Sequence, residues 1–352
     1  MSFRKLLMCA AAVLAAVACE DEDEVATTPS LDGALSFHVP AYVAPLQTVT
    51  MTPKGVEHPD GKELGYYWKV SPTMPRYDTT RFTNGLDSDK GDGKPSDGSF
   101  THTFSDTLKT YTVYGCAYAS GYLNASSQRT VQVVKGGIDG SLQNTGIEAS
   151  DPKVSFEGVD YYYTRIGKLD WFRNNLARKG SGVPYGNVEV MSDVYGRYYS
   201  YEEAMTACPE GWRLPSDAEW LEMMSEYSDG SQLTPYGEVP GVAASMMAQA
   251  TFNGAELWQY YPEVGDITNA SKMAVVLAGY VSMGAKSEDG GYPAADFIGL
   301  KEYAVFWTSD QVAGEPDMAY CRYLFCDQPA AFASKNSRTS FGASVRCVRE
   351  AE

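Results

Sequence analysis

Between residues 31 and 135 short β-branched and aromatic runs alternate with clusters of Gly, Pro, Asp and Ser, the pattern of strands joined by turns. The runs predict strands at 34–39, 48–52, 64–70, 99–104, 110–118 and 130–134. In the last of these Val131 and Val133 share one face, and Thr130 and Gln132 share the other. Several short strands in a segment of about 100 residues suit an all-β sandwich. Further along the period changes. Ser200-Tyr201-Glu202-Glu203 and Ser216-Asp217-Ala218-Glu219 are both S-x-x-E boxes, in which the serine oxygen accepts an orphan backbone N–H and the glutamate reaches back to the cap. They predict one helix that runs to about Cys208 and stops before Pro209, and a second with Trp220, Leu221 and Met224 on one face. The segment 341–348 reads as a strand with Val345 and Cys347 on the same side. This half is therefore α+β. Gly136-Gly137-Ile138-Asp139-Gly140-Ser141 has no apolar period and reads as a hinge, placing the β domain at 31–135, a linker at 136–151 and the second domain at 152–352.

The N-terminus changes the picture of where the protein works. Arg4 and Lys5 precede an apolar stretch from Leu6 to Ala18 that is too short to cross a bilayer, so residues 1–18 read as a signal peptide. Ala16-Val17-Ala18 before Cys19 resembles a bacterial lipoprotein box, which implies that Cys19 carries lipid. Residues 19–30 then form an acidic tether that opens with Glu20-Asp21-Glu22-Asp23-Glu24. Acids directly after the lipid cysteine resemble the surface-export signal of Bacteroidetes outer-membrane lipoproteins. The expectation is an outer-membrane protein held by its lipid and facing the cell exterior.

Charge and histidine content narrow the chemistry. Lys and Arg number 28 against 45 Asp and Glu, a formal charge of −17 that becomes −19 once Arg4 and Lys5 are lost. Nucleic acid is excluded as a partner on that balance. His38, His58 and His102 are the only histidines, so the second half holds neither a Ser-His-Asp triad nor a histidine zinc site. Asp87-Ser88-Asp89-Lys90-Gly91-Asp92-Gly93 has the look of a calcium loop, but Gly98 stands where a bidentate acid should close it. It reads as a solvated loop.

Two resemblances add to this. Thr101-His102-Thr103-Phe104, Lys109-Thr110-Tyr111-Thr112-Val113 and Gln132-Val133-Val134 resemble the closing half of immunoglobulin-like PKD repeats. In the second half the matching pieces are Trp171-Phe172-Arg173-Asn174-Asn175-Leu176, Tyr195-Gly196-Arg197-Tyr198-Tyr199, the C-P-x-G-W-R-L-P-S-x-x-E-W run from Cys208 to Trp220, Phe252-Asn253-Gly254, Leu277-Ala278-Gly279-Tyr280, Phe306-Trp307-Thr308-Ser309 and Ser344-Val345-Arg346-Cys347-Val348. They resemble the Fibrobacter succinogenes major paralogous domain, a variant of the C-type-lectin-like fold, in its order over about 155–350. That resemblance implies a compact α+β domain with two helices, a twisted antiparallel sheet and a long irregular insertion. It implies no established reaction and no cofactor. Cys208 and Cys347 match the positions that C-type-lectin-like domains join by a disulfide.

Cys321 and Cys326 have the spacing of the Cu(I)-binding pair of formylglycine-generating enzymes, which resemble this domain in fold and in the Arg213–Trp220 run. Soft thiolates select that ion. On a regular strand, however, an odd separation sends the two cysteines to opposite faces, so they converge as metal ligands only across a bulge. Glu315-Pro316-Asp317 resembles the sugar-binding triplet of calcium lectins, but it follows the 306–308 strand and has no partner motif. Five of the six Trp and 17 of the 25 Tyr lie in the second half, where rings supply contact area at low entropic cost. Trp258, Tyr260, Tyr261, Trp307, Tyr320 and Tyr323 are the candidate ligand-facing rings. The expectation is a monomeric, non-enzymatic surface lipoprotein that binds a glycan or protein ligand. The alternatives are a structural or pilus-associated envelope protein and, third, a copper-dependent oxidase.

Overall fold

The computed structural model describes residues 27–72, 98–288 and 292–351. The signal peptide, Cys19, the acids 20–24 and the loop 87–93 lie outside the described residues. The rest is a chain built mostly of β-strands, with four short helices among the described residues.

The first unit contains β1 (Asp32–Ser36), β2 (Tyr42–Val43), β3 (Thr48–Met51), β4 (Lys54–Glu57), β5 (Gly65–Ser71), β6 (Phe100–Thr103), β7 (Thr110–Tyr118) and β8 (Ala125–Val133). One sheet has the order β2-β8-β7-β5, with β2 parallel to β8 and the other pairs antiparallel. β3 pairs with β6 and β1 with β4. Trp68, Val113, Val131 and Val133 from the four-stranded sheet meet Met51 and Phe104 in one core. On the outer face of the β3–β6 pair, Thr48 bonds Thr103 and Thr50 bonds Thr101, both at 2.8 Å, the cross-strand pairing that fixes register. β8 begins five residues before the expected 130. β1 ends at Ser36, and Phe37 and Val39 enter the core from beyond it. β4 escapes the pattern because Val56 is its one buried residue, so it has no period to read.

The stretch expected to be a hinge is instead stitched to the second half. β9 (Leu142–Gln143) joins a three-stranded sheet with β15 (Thr251–Phe252) and β16 (Ala255–Glu256). The Asn253 amide donates to the Val133 carbonyl at 3.0 Å, and that of Asn269 to Thr145 at 3.1 Å. Val134 sits in a core whose other members come from the second half, and the Tyr42 ring lies 6.1 Å from Tyr185 and 6.4 Å from Phe252. Gly136 passes so close to Asp193 that a Cβ would stand 2.3 Å from its carbonyl oxygen. Flexible composition here serves close approach.

The second half begins with β10 (Lys153–Phe156), β11 (Val159–Ile166) and β12 (Leu169–Phe172), which with β23 (Val348–Glu350) form an antiparallel sheet in the order β10-β11-β12-β23. β13 (Val183–Pro184), α1 (Ser192–Tyr195) and β14 (Arg197–Tyr198) lead to α2 (Tyr201–Ala207) and α3 (Asp217–Ser225). Both capping boxes are formed, with Ser200 and Ser216 accepting from the N3 backbone and Glu203 and Glu219 reaching back. Trp220, Met223 and Met224 of α3 are buried. α4 (Ala243–Met246) and the β15–β16 hairpin are the regular pieces between α3 and β17 (Tyr280–Ser282). β17 pairs with β18 (Asp296–Ile298) and β22 (Phe341–Gly342). The central sheet has the order β19 (Tyr303–Val312), β20 (Glu315–Phe325) and β21 (Ala331–Ser337). The expected 341–348 strand is broken into β22 and β23. Between them Val345 and Cys347 give their carbonyls to the N–H groups of Leu176 and Phe172. Cys208, at the end of α2, is joined to Cys347 across 139 positions of sequence.

Three outcomes follow. Closing a loop of that length is worth about 4–5 kcal/mol in the chain-entropy account, so reduction should lower the melting temperature by several degrees, and Cys208→Ser/Cys347→Ser should abolish the response to reductant. Gly136→Ala should cost about 1–3 kcal/mol through overpacking and open the 134–152 segment to limited proteolysis. At the helix caps, burial raises the Glu203 and Glu219 pKa, but hydrogen bonds from Lys286 and Ser200, and from Arg213 and Ser216, outweigh it and hold both below the ordinary value of 4.5. Their contribution is present above 4.5 and disappears as pH falls through the lowered values. Urea unfolding should therefore show Glu219→Gln costing about 1 kcal/mol at pH 7 and progressively less as pH is taken down below 4.5.

Candidate functional site

Directly opposed residues in an antiparallel sheet share a face. On one face of the central sheet Trp307 stands opposite Cys321, Val305 opposite Tyr323, and Tyr303 opposite Phe325, while β21 adds Phe332 beside Tyr323. At the Trp307 end this face is core. Trp307 and Cys321 are fully buried together with Tyr199, Tyr201 and Val345. At the other end Tyr303, Tyr323, Phe325 and Phe332 are only partly buried, with Tyr303 and Tyr323 still packed against that core.

The half-buried rings form a continuous strip. Phe341 lies 5.1 Å from Tyr280, Tyr280 6.0 Å from Tyr303, Tyr303 5.2 Å from Phe325, and Phe325 5.3 Å from Phe332. The last two pairs are edge-to-face, at 84° and 85°, the preferred arrangement of aromatic quadrupoles. Tyr323 stacks on Phe325 at 6.2 Å and donates its hydroxyl to Asn336 Oδ1 at 3.0 Å. Burial pushes the Tyr323 phenol well up, so it is a neutral donor at physiological pH.

Two other candidate rings, Tyr260 and Tyr261, arrive from the other side of the sheet. Tyr260 is 66% exposed, and Tyr261 lies near enough to Cys326, just past the end of β20, for the thiol to raise the Tyr261 phenol. The loop 257–262 and the segment 320–336 thus meet at the open end of the sheet.

Three candidate rings are placed differently. Trp307 offers no ligand surface: it is fully buried and donates its indole N–H to the Tyr199 carbonyl at 2.7 Å. Trp258 is wedged between two core clusters. Tyr320 lies on the opposite sheet face, capped by Tyr236 at 3.9 Å and 15°. Beneath that pair is a buried ion pair. Arg322 Nε donates to Asp217 Oδ1 at 2.6 Å and Nη1 to the Gly237 carbonyl at 2.7 Å, while Asp217 Oδ2 accepts the Tyr236 N–H at 2.8 Å. Asp310 accepts the Tyr236 hydroxyl and the Asp217 N–H. This network anchors the loop after α3, and Tyr320 and Tyr236 close over it.

Cys321 and Cys326 do not form a metal pair, because they reach opposite sides of the sheet. Cys321 enters the Trp307 core and Cys326 packs against the Trp220 core. Burial raises both thiols, opposite to what a thiolate ligand needs. Glu315-Pro316-Asp317 opens β20 in a hairpin. Phe325 and Phe332 fall in the 320–336 stretch that the sequence offers as an exposed face, whereas Tyr280, Tyr303 and Phe341 carry no such expectation. The alternation of Tyr303, Val305 and Trp307 carries them onto the right face, and the signal that they are half-exposed lies in where the neighbouring layers end.

The Fibrobacter succinogenes major domain family matches residues 164–349. No curated protein matches the chain. Among solved structures, the adhesin InvE of Yersinia pseudotuberculosis aligns over 91% of this chain and 70% of its own, with 10% identity and a TM-score of 0.25. The family match covers just over half of the chain, including both capped helices, the Cys208–Cys347 disulfide and the central sheet, and the chain belongs to the Fibrobacter succinogenes major domain family.

Proposed function

We propose that this protein is a lipid-anchored, surface-displayed adhesion module that acts by binding rather than by catalysis, with the open aromatic end of the central sheet as its binding face. The observation that carries the reading is the strip from Phe341 through Tyr280, Tyr303 and Phe325 to Phe332, a run of touching rings each of which is only partly buried. Contiguous exposed rings on a soluble domain mark interaction surfaces, and aromatic anchors dominate binding energy at interfaces. Two of the four contacts along the strip are edge-to-face, which favours a protein ligand over the flat face of a sugar ring. The first unit, with its immunoglobulin-like reading, serves as a spacer that lifts the binding domain from an outer membrane reached through Cys19. The C-type-lectin-like reading of the second domain is supported by its two capped helices, its antiparallel sheet and a disulfide between the end of a helix and the last strands.

The test uses cells that express the full chain. Fatty-acid labelling should require Cys19, protease added to intact cells should remove the protein, and the cells should adhere to a layer of mixed extracellular-matrix proteins rather than to a neutral glycan array. Phe325 and Phe332 lie outside the core clusters, so Phe325→Ala/Phe332→Ala should leave the melting temperature nearly unchanged. At about 1–2 kcal/mol for each lost anchor, it should weaken adhesion roughly tenfold or more. Unchanged adhesion by a folded double variant would remove the strip from the binding face.

A further inference from the structure

Tyr236 and Tyr320 are stacked more closely than attraction between rings explains. Their centroids are 3.9 Å apart with planes at 15°, near the face-to-face sandwich that aromatic quadrupoles avoid in favour of offset or edge-to-face contacts. Four other tyrosine pairs, Tyr280–Tyr303, Tyr185–Tyr195, Tyr42–Tyr185 and Tyr67–Tyr114, stand between 6.0 and 6.4 Å apart with planes at 54° to 78°. The backbone, rather than the stack, sets the position of Tyr236. Its N–H is held by Asp217 Oδ2 at 2.8 Å, the next carbonyl is held by Arg322 Nη1 at 2.7 Å, and its φ is 55°, a left-handed conformation that a bulky side chain adopts only at a cost. Tyr320 is fixed as part of β20, the middle strand of the central sheet. Two phenols are thus pressed together in van der Waals contact, and both reach the surface: Tyr236 is 39% exposed and Tyr320 is partly buried.

A base stands beside them. Asp310 Oδ1 accepts the Tyr236 hydroxyl at 3.1 Å, within the reach that proton transfer requires. Burial first, and then Asp310, push the Tyr236 phenol up to about 12, so the group is a neutral phenol that has to shed its proton as an electron leaves. The Cys208–Cys347 disulfide suits surroundings in which oxidants are met.

We propose that Tyr236 and Tyr320 are an oxidative cross-linking site, joined as dityrosine when hydrogen peroxide acts through a one-electron oxidant such as a haem peroxidase. Each phenol loses one electron and its hydroxyl proton, and the two phenoxyl radicals pair through carbons ortho to their oxygens. One C–C bond forms. Each of those carbons then releases its hydrogen as a proton while each oxygen regains one, so two C–H bonds are lost in all. The two electrons and two protons reduce one peroxide to two waters. Contact between the reacting rings supplies the proximity that the other tyrosine pairs lack. The bond ties the loop after α3 to β20 and seals the Asp217–Arg322 pair beneath it. The proposal stands apart from the adhesion reading, since neither ring belongs to the Phe341–Phe332 strip.

The experiment treats the full mature chain, made soluble by Cys19→Ser, with a haem peroxidase and hydrogen peroxide at low protein concentration. The chain should stay monomeric on a denaturing gel, gain dityrosine fluorescence and, on digestion, yield a linked peptide pair carrying Tyr236 and Tyr320, lighter than its two parts by two hydrogen atoms. Tyr236→Phe and Tyr320→Phe each keep a ring in the stack but remove the phenol, and each should abolish that pair. Tyr280→Phe, on the aromatic strip, should leave its yield unchanged. Asp310→Asn should slow coupling about tenfold, because the amide does not take up the proton. Cross-linked protein should melt higher than untreated protein, a gain that treated Tyr236→Phe should not show. Monomer fluorescence that persists at full yield in Tyr236→Phe, or linked peptides that join other tyrosines instead, would overturn the proposal. So would a parent chain that forms no internal bond while N-acetyltyrosine in the same tube is coupled.

Discussion

A guanidinium sealed inside a protein must find oxygen, and that requirement organises the second domain. Arg346 is 1% exposed. Its Nε donates to Asn175 Oδ1 at 2.7 Å, its Nη1 to the carbonyls of Met273 at 2.7 Å and Phe172 at 3.1 Å, and the cation lies 5.3 Å from the centre of the Phe306 ring. No carboxylate among the described residues pairs with it, and burial together with the nearby Arg173 pulls its pKa down. A buried charge left without partners costs several kcal/mol, so the oxygens have to be held in place by β12, by the loop after it and by the irregular insertion at once. This explains why the chain between β22 and β23 leaves regular sheet geometry. Val345 and Cys347 still enter one core while Arg346 reaches Phe306 in the other, but the backbone between them bonds to Leu176 and Phe172 rather than to a continuous strand. Cys347 then ties this same segment to the end of α2.

With Arg346 and the disulfide clamping one end, the central sheet is covered unevenly. Phe306 and Trp307, neighbours in β19, are both fully buried and serve opposite cores. Four residues earlier Tyr303 is only half-covered. The aromatic strip is thus the continuation of a core face into rings that are only partly buried. The part of each ring left in water forgoes about 25 cal/mol for each Å², an expense that a domain with this many buried aromatics can bear. The exposed edge is guarded as well, since β21 carries Lys335, paired with Glu315, near its end.

Features set by a few neighbouring residues were legible in the sequence, and those set by distant ones were not. The capping boxes at Ser200 and Ser216 could be read because all four positions of each lie within one turn, and α2 and α3 start where those residues demand. The opposite-face placement of Cys321 and Cys326 followed from strand parity. Parity also puts Tyr323 and Trp307 on one face, but it carries no information on how far the opposing layer extends, so it did not separate a buried Trp307 from a half-exposed Tyr303. The Tyr236 cap over Tyr320 depends on a loop held by Asp217 and Arg322, residues 105 positions apart. β4 was silent because a strand with one buried side chain has no alternation to detect.

The segment 136–151 shows the same limit and bears on how the two halves work together. A Gly-rich composition is compatible with free rotation and with tight backbone approach, and only the surroundings decide between them. Here Arg173, 2% exposed, ion-pairs with Asp151 and donates to the Gly146 carbonyl, while Asn253 reaches back to Val133. The carbonyls that a flexible linker would give to water are taken by side chains of the second half. Tyr42 of β2 adds ring contacts from the first unit, and its phenol is raised by burial and by Tyr185. A junction built from buried rings, an ion pair and backbone acceptors resists bending. The first unit and the second half therefore move together, held by contacts that a free linker would not make.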